Sequence, residues 1–347
     1  MKIGKLREVT LTGSRYQIGK QAGEGAADVI HRMVRQHHKE RLSRKDDAFK
    51  SALHRLEKNT LQIAPEFLEE IDGIADGCGL PFEEILAYNC LTEMVGVPVG
   101  GCTNFAFADT EVGPAIAKTN DGDTPGLDWF YLIERIYHND GRGLLIVTWA
   151  GTVWLVAGVN SHGLAITGAS CDGTEENWDG LPTNMLTRLA LERCRSVEEA
   201  VPLLSGTPIT LHSMNITLAD SGGALVVLEK SPTDCALRRP KNGAIFCVNH
   251  FLTPRMFARN NNYGREYLEN SERRQRHLTE VLFRPDTEHS VKKMEEILKD
   301  GKSPGAVCQL GQENFYTALA AILLPKPKVM KVVLGPPCEG EFQEYRL

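Results

Sequence analysis

The chain of 347 residues has no Cys-x-x-Cys pair, no apolar run long enough to cross a bilayer and no excess of positive charge. Its nine cysteines are odd in number and scattered, and Cys235 and Cys247 stand too far apart for a zinc knuckle. Reduced thiols are therefore expected, with neither a disulfide framework nor a metal. The longest apolar text, Leu144 to Val159, is broken by Thr148, Gly151, Thr152 and Gly158, so no membrane span is expected. A formal charge of −6 argues against general nucleic-acid binding, which usually shows a basic stripe. Met1 to Arg7 carries charge without an apolar h-region, unlike a secretory signal. Tyr345-Arg346-Leu347 puts a tyrosine where the peroxisomal tripeptide wants a small residue. The expected location is the cytoplasm, ahead of the peroxisome. No internal repeat or low-complexity segment is present.

What is there is ordinary globular text, 42% hydrophobic and 24% charged, long enough for two domains or one large layered domain. Residues 6 to 12 alternate as a short strand, and Gly13 to Gly23 leads into a helix with Ile30, Met33 and Val34 on one face. Pro65-Glu66 and Pro81-Phe82-Glu83-Glu84 open two more helices over 61 to 95, where proline and acids suit free N–H groups and the dipole. Residues 1 to 95 thus read as mostly helical. After Gly101 the period changes to two. Phe105 and Phe107 pair with Ala115 to Lys118 across a turn at Asp109 to Pro114. Leu144 to Trp149 and Val153 to Ala157 flank Ala150-Gly151-Thr152 as a second hairpin, followed by a turn at Gly158 to Gly163 and a strand from Leu164. Helices are expected over Thr183 to Cys194 and from Ser196, where Glu199 completes a capping box. Asn215 to Asp220 and Ala224 to Glu229 form a hairpin about Ser221-Gly222-Gly223; the glycines lack the strand-to-helix setting of a phosphate cradle. Ile245 to His250 is a strand ending in polar groups, and Arg255 to Arg276 reads as a solvated basic loop and helix. A helix near Lys292 to Leu298 and strands over Thr317 to Leu324 and Val329 to Leu334 close the chain. This order fits layers of helix and mainly antiparallel sheet, an α+β fold.

The chemistry centres on Gly100-Gly101-Cys102-Thr103-Asn104, where helical text becomes strand text. Gly101 offers an unhindered carbonyl, which suits attack by the Cys102 thiol on the bond before it. The acyl group moves to sulfur and water releases a new N-terminal cysteine. Its α-amino group, with a reference pKa of about 7.7–8.0, then serves as base toward its own thiol, the logic of N-terminal threonine enzymes. Asp121, in Lys118-Thr119-Asn120-Asp121, returns toward Cys102 across the hairpin and could hold that amine, although Asp121-Gly122-Asp123 also reads as a plain turn. Asn249 ends a strand, either capping a turn or giving a side-chain N–H to an oxyanion. His250 and His162 are alternative bases, or structural residues.

At these residues the chain resembles the acyl-coenzyme A:6-aminopenicillanic acid acyltransferase family (isopenicillin N acyltransferase, peptidase family C45), among the N-terminal nucleophile hydrolases. The matching text comprises Gly13 to Gly23, Gly101-Cys102-Thr103, Lys118 to Asp121, Gly158-Val159-Asn160-Ser161-His162-Gly163-Leu164, Asn215 to Asp220 with Glu229, and Val248-Asn249-His250-Phe251. The resemblance implies a four-layer αββα sandwich made by autoproteolysis, with 1–101 a small subunit bound to a catalytic core 102–347. It also implies Cys102 as nucleophile, Asp121 as positioning partner and Asn249 as oxyanion contributor; Thr103, Lys118, Asn120, Ser170 and His250 are further accessory candidates, not implied by it. Ser170 stands where bile-salt hydrolase relatives carry an oxyanion-hole asparagine, and Gln309, after Val307-Cys308, stands where many members carry an arginine.

The expected activity is hydrolysis or transfer of an N-acyl or peptide-like amide through a thioester at Cys102. The substrate is a small molecule or short peptide. No cofactor is expected, and acyl-coenzyme A enters only as a co-substrate of transfer. No nucleic-acid or membrane partner is expected, and a homo-oligomer is compatible. Two rivals are an unprocessed thiol hydrolase using Cys102 with a histidine, and a catalytically silent binding protein of the same fold.

Overall fold

The structure is a computed structural model and describes residues 6–42, 46–95, 101–122, 129–260, 265–311 and 314–347. The first strand, β1 (Arg7–Gly13), leads into α1 (Arg15–Arg32), whose entry is a full capping box between Ser14 and Gln17. Helices α2 (Lys39–Leu42), α3 (Asp47–Ile63), α4 (Pro65–Cys78), α5 (Phe82–Asn89) and α6 (Leu91–Val95) follow. Helix α4 begins at a proline and stops on the left-handed Gly79. Helix α3, and a third helix α6 after the two expected over 61–95, go beyond the sequence reading.

The spacing of Gly19, Gly23, Gly73 and Gly77 has a packing cause. A β-carbon on Gly19 would lie 2.0 Å from the Glu70 carbonyl oxygen, and one on Gly73 2.1 Å from that of Tyr16. Helices α1 and α4 therefore touch backbone to backbone, which no side chain larger than hydrogen permits.

Past Gly101 come β2 (Cys102–Thr110), β3 (Gly113–Gly122), β4 (Tyr131–His138), β5 (Gly143–Trp149), β6 (Ala157–Asn160) and β7 (Leu164–Cys171). Helices α7 (Thr183–Arg193) and α8 (Val197–Gly206) precede β8 (Ser213–Asp220), β9 (Leu225–Lys230), β10 (Cys235–Arg238) and β11 (Ala244–Cys247). The chain ends through α9 (Pro254–Phe257), α10 (Arg265–Leu282), α11 (Val291–Lys299), β12 (Tyr316–Leu324), β13 (Val329–Leu334) and β14 (Gln343–Arg346). Strands β4, β10 and β14 were not anticipated. The strand expected over Val153 to Ala157 is displaced. The Val153 N–H donates to Asn89 Oδ1 at 2.8 Å and Trp154 Nε1 to the Asn89 carbonyl at 2.8 Å, so the segment is tied to α5. Strand β6 starts only at Ala157 and takes in residues expected to turn. The strand ending in Asn249 and His250 is likewise shorter than expected, stopping at Cys247.

The strands form an eight-stranded sheet ordered β1-β4-β5-β6-β7-β8-β9-β10 and a six-stranded sheet ordered β11-β2-β3-β12-β13-β14. Among the described strands every pairing is antiparallel except β1 with β4. The sheets face each other, α7 and α8 cover the first, and α10 and α11 cover the second. These are the four layers αββα. Alternation along β2 serves two cores: Phe105 and Phe107 meet Leu278, Leu282, Met294 and Leu298, while Ala106 faces the inter-sheet core.

Strand β1 and helix α1 join the N-terminal segment to the remainder. Strand β1 pairs with β4 from Arg7↔Leu132 to Gly13↔His138. A buried charge cluster adds to this. Arg188 of α7 reaches Glu192 at 2.6 Å and Glu70 at 3.0 Å, and Arg15 bridges Glu70 at 3.2 Å and also Glu192. Among the described residues no helix is long and apolar enough to cross a membrane.

Candidate active site

Cys102 is the first residue of β2 and lies opposite Asn120 of β3. This pairing brings Asp121 beside Gly101, whose carbonyl oxygen accepts the Asp121 backbone N–H at 2.7 Å. The space at Gly101 is taken by the same residue: a β-carbon there would sit 3.1 Å from Asp121 Oδ2 and 3.4 Å from the Phe315 ring. Asp121 is thus a strand residue inside the protein, 2% exposed, and not part of an open turn. Asp123 lies outside the described residues, as does Gly100.

The Cys102 side chain is 6% exposed and its thiol faces Asn120 Oδ1 at 3.5 Å. Asn120 Nδ2 in turn donates to the Tyr131 hydroxyl at 2.6 Å. On the other side the Cys102 N–H donates to Asn249 Oδ1 at 2.9 Å. Asn249 Nδ2 donates to the Ser170 carbonyl at 2.8 Å, and its N–H to Ser271 Oγ at 3.0 Å. Two donors on Oδ1 and an acceptor at Nδ2 fix the amide's orientation, so it is the oxygen of Asn249 that faces the Cys102 nitrogen. Ser170 contributes its backbone carbonyl.

The second donor to Asn249 Oδ1 is Arg274 Nη2, at 2.8 Å. Arg274 Nη1 reaches the Cys102 carbonyl at 2.6 Å and Thr103 Oγ1 at 2.9 Å. The expectation of a solvated basic stretch is corrected here: Arg274 is 1% exposed. The cause is its place on α10, where Asn270, Arg274, Leu278 and Leu282 recur every fourth residue and all are buried. A stripe of that spacing turns inward, and its polar half meets the strand start. Arg274 Nε is held by Asn270 Oδ1 at 2.8 Å, and Asn270 Nδ2 by Gln309 Oε1 at 3.0 Å. Gln309, noted in sequence as a departure, therefore supports from its loop a guanidinium supplied by α10.

Asp121 accepts from Thr317 Oγ1 at 2.7 Å on Oδ1 and from Thr119 Oγ1 at 3.4 Å on Oδ2. Burial raises its pKa to about 6, and this is opposed by Arg274, the Thr317 hydrogen bond and Lys118. Lys118 is buried with its Nζ donating to the Gly168 carbonyl at 2.5 Å. His250 is turned away from the thiol, with Nδ1 on Ser271 Oγ at 2.7 Å and Nε2 on Gln275 Oε1 at 2.9 Å. His162 is exposed in the β6–β7 turn. Neither histidine is brought to Cys102. Sequence reasoning missed Arg274, Thr317, Asn270 and Tyr131; only the fourfold stripe on α10 was there to be read.

Chemically, the site presents a thiol whose own backbone nitrogen is held by an amide oxygen. The preceding carbonyl is polarised by a backbone N–H, and a half-ionisable carboxyl lies alongside.

Comparison with known proteins yields several structural likenesses and one family. No curated protein sequence matches the chain. Among solved structures, it is similar to a Caenorhabditis elegans ortholog of N-acylethanolamine-hydrolyzing acid amidase (14% identity, 65% of this chain and 93% of that one, TM-score 0.46). It is also similar to penicillin V acylase from Agrobacterium tumefaciens (14%, 67% and 82%, TM-score 0.43). A third is a mutant of conjugated bile acid hydrolase from Clostridium perfringens (9%, 71% and 97%, TM-score 0.40). The model of the acyl-coenzyme A:6-aminopenicillanic acid acyl-transferase family matches residues 108–339, a span that begins just after Cys102 and includes Asp121, Asn249, Arg274 and Thr317. With that match over most of its length, the chain belongs to the acyl-coenzyme A:6-aminopenicillanic acid acyl-transferase family.

Proposed function

We propose that the chain is an N-terminal cysteine amidohydrolase, activated by cleavage of its own Gly101–Cys102 bond and acting on small N-acyl or peptide-like amides. The observation that carries this reading is the framing of that bond, with Asp121 N–H on the Gly101 oxygen and Asn249 Oδ1 on the Cys102 nitrogen. In the processing step Cys102 Sγ bonds to the Gly101 carbonyl carbon while the Asp121 carboxylate takes the thiol proton. The developing oxyanion is met by the Asp121 N–H, which acts as a fixed donor. The carbon–nitrogen bond breaks as the nitrogen gains a proton, leaving a Gly101 thioester on sulfur. Water then releases the Gly101 carboxylate and the free thiol.

Cleavage turns the Cys102 nitrogen into an amine still held by Asn249 Oδ1, whose orientation Arg274 maintains. That amine takes the thiol proton, the thiolate attacks the substrate amide, and the protonated amine returns the proton to the leaving nitrogen. Hydrolysis of the acyl-Cys102 thioester completes turnover; an amine acceptor in place of water gives transfer. Fragments 1–101 and 102–347 stay together, supported by the β1–β4 pairing and the Arg15, Arg188, Glu70 and Glu192 cluster that spans them. Incubation with a panel of N-acyl amides, followed by peptide mapping after acid quench, tests the reading. An acyl adduct on Cys102 is expected, and adducts confined to other cysteines contradict it.

A further inference from the structure

We propose that Cys308 and Cys338 are an oxidisable dithiol whose disulfide state sets the geometry of the Cys102 site; the catalytic half of this claim rests on the function proposed above. The two sulfurs lie 3.2 Å apart, although they come from separate segments: the loop after α11 and the turn after β13. Cys338 is exposed and Cys308 is buried. The pair stands one residue from the support of the active site. Gln309 follows Cys308, and its N–H and carbonyl both bond to Thr317, at 2.8 and 2.9 Å. Its side chain holds Asn270. Through Thr317 it fixes Asp121, and through Asn270 it fixes Arg274. The Cys338 turn touches the same strand, since the Gly335 N–H donates to the Ala318 carbonyl at 2.8 Å. Drawing Cys308 and Cys338 to bonding distance shortens their separation by about 1 Å. In a close-packed interior that displacement passes to Gln309 and both relays.

The oxidant is a small-molecule disulfide such as oxidised glutathione. The Cys338 thiolate, its proton released to water, attacks one glutathione sulfur, forming a mixed disulfide and expelling glutathione thiolate. Cys308 sulfur then attacks the Cys338 sulfur and its proton passes to the second departing glutathione. The protein loses two protons and two electrons, and the oxidant becomes two reduced glutathione molecules. Burial pushes the Cys308 thiol up, which makes exposed Cys338 the first to react.

The test has two arms. In the Cys102→Ala chain, which removes the nucleophile's own reaction, oxidised glutathione should lower the count of titratable thiols in denaturant by two. Non-reducing peptide maps should show Cys308 joined to Cys338. An unchanged count, or a different pair, overturns the proposal whatever the enzyme does. In the wild-type chain the same treatment should lower amide turnover roughly ten- to hundredfold, as expected for small displacements of positioning groups, with recovery in reductant. Cys338→Ser should keep the reduced rate and resist the oxidant. A linked protein with unchanged turnover, or equal losses in wild type and Cys338→Ser, overturns the coupling.

Discussion

The backbone N–H of Asp121 donates to the carbonyl oxygen of Gly101 at 2.7 Å, while the Asp121 side chain fills the space against the Gly101 α-carbon. One residue thereby both polarises the carbonyl before Cys102 and places a carboxyl beside it.

That carboxyl titrates at about 6 because burial outweighs Arg274, Thr317 and Lys118. It is protonated below that pH and a base above it. The rate of 101–102 cleavage should therefore rise with pH through about 6, and Asp121→Asn should be slow at every pH, without that limb. The sign for stability is opposite. A folded-state value above the unfolded one, about 4, means that stability is lost as pH rises from 4 through 6. Asp121→Asn should gain stability relative to the parent at neutral pH, read from urea unfolding of Cys102→Ala backgrounds.

Arg274 donates to the Cys102 carbonyl, Thr103 Oγ1 and Asn249 Oδ1 at once. Arg274→Gln should reduce amide turnover by about 10²-fold or more, the scale for loss of a fixed donor. Arg274→Lys should fail to rescue it, because an ammonium cannot reproduce the planar fork. Turnover within about threefold of wild type, measured on the folded variant, contradicts this role.

These two residues differ in how far the sequence revealed them. Asp121 was legible because β2 and β3 are local in sequence, so alternation and a short turn bring it back to Cys102. Asn249 was legible as a polar strand end, but its meeting with Cys102 was not, since β11, just before it, pairs with β2 from far along the chain. Arg274 was hidden because the charges around it resemble a solvated helix; its burial depends on partners at Cys102 and Asn249 that no local pattern encodes. The same limit explains the displaced β6: alternation over Val153 to Ala157 suits a strand, but Asn89 captures the Val153 N–H and the Trp154 indole. The layered fold was legible from the succession of helical and strand periods, whereas unanticipated β4, β10 and β14 carry weaker or shorter alternation.

The charge cluster between the N-terminal helices and α7 is a second point of sensitivity. Arg188 is wholly buried between Glu70 and Glu192. Arg188→Ala leaves both carboxylates without this partner and should cost about 3–5 kcal/mol, measured by urea unfolding. In processed protein it should also let the two fragments separate on gel filtration at lower urea than wild type.

The α1–α4 contact gives a purely steric prediction. Gly73→Ala places a methyl 2.1 Å from the Tyr16 carbonyl oxygen, and the helices must part to admit it. A loss of about 1–3 kcal/mol is expected from overpacking, with the site geometry at Cys102 retained. A melting temperature equal to wild type contradicts the backbone-to-backbone contact.

The central claim is that Cys102 becomes an N-terminal residue. Intact-mass measurement of the purified chain under denaturing conditions addresses it directly. Two species of about 11 and 27 kDa, scaled from chain length and divided between Gly101 and Cys102, are expected, with a single full-length species for Cys102→Ala. Active wild-type protein that remains one uncut chain contradicts it.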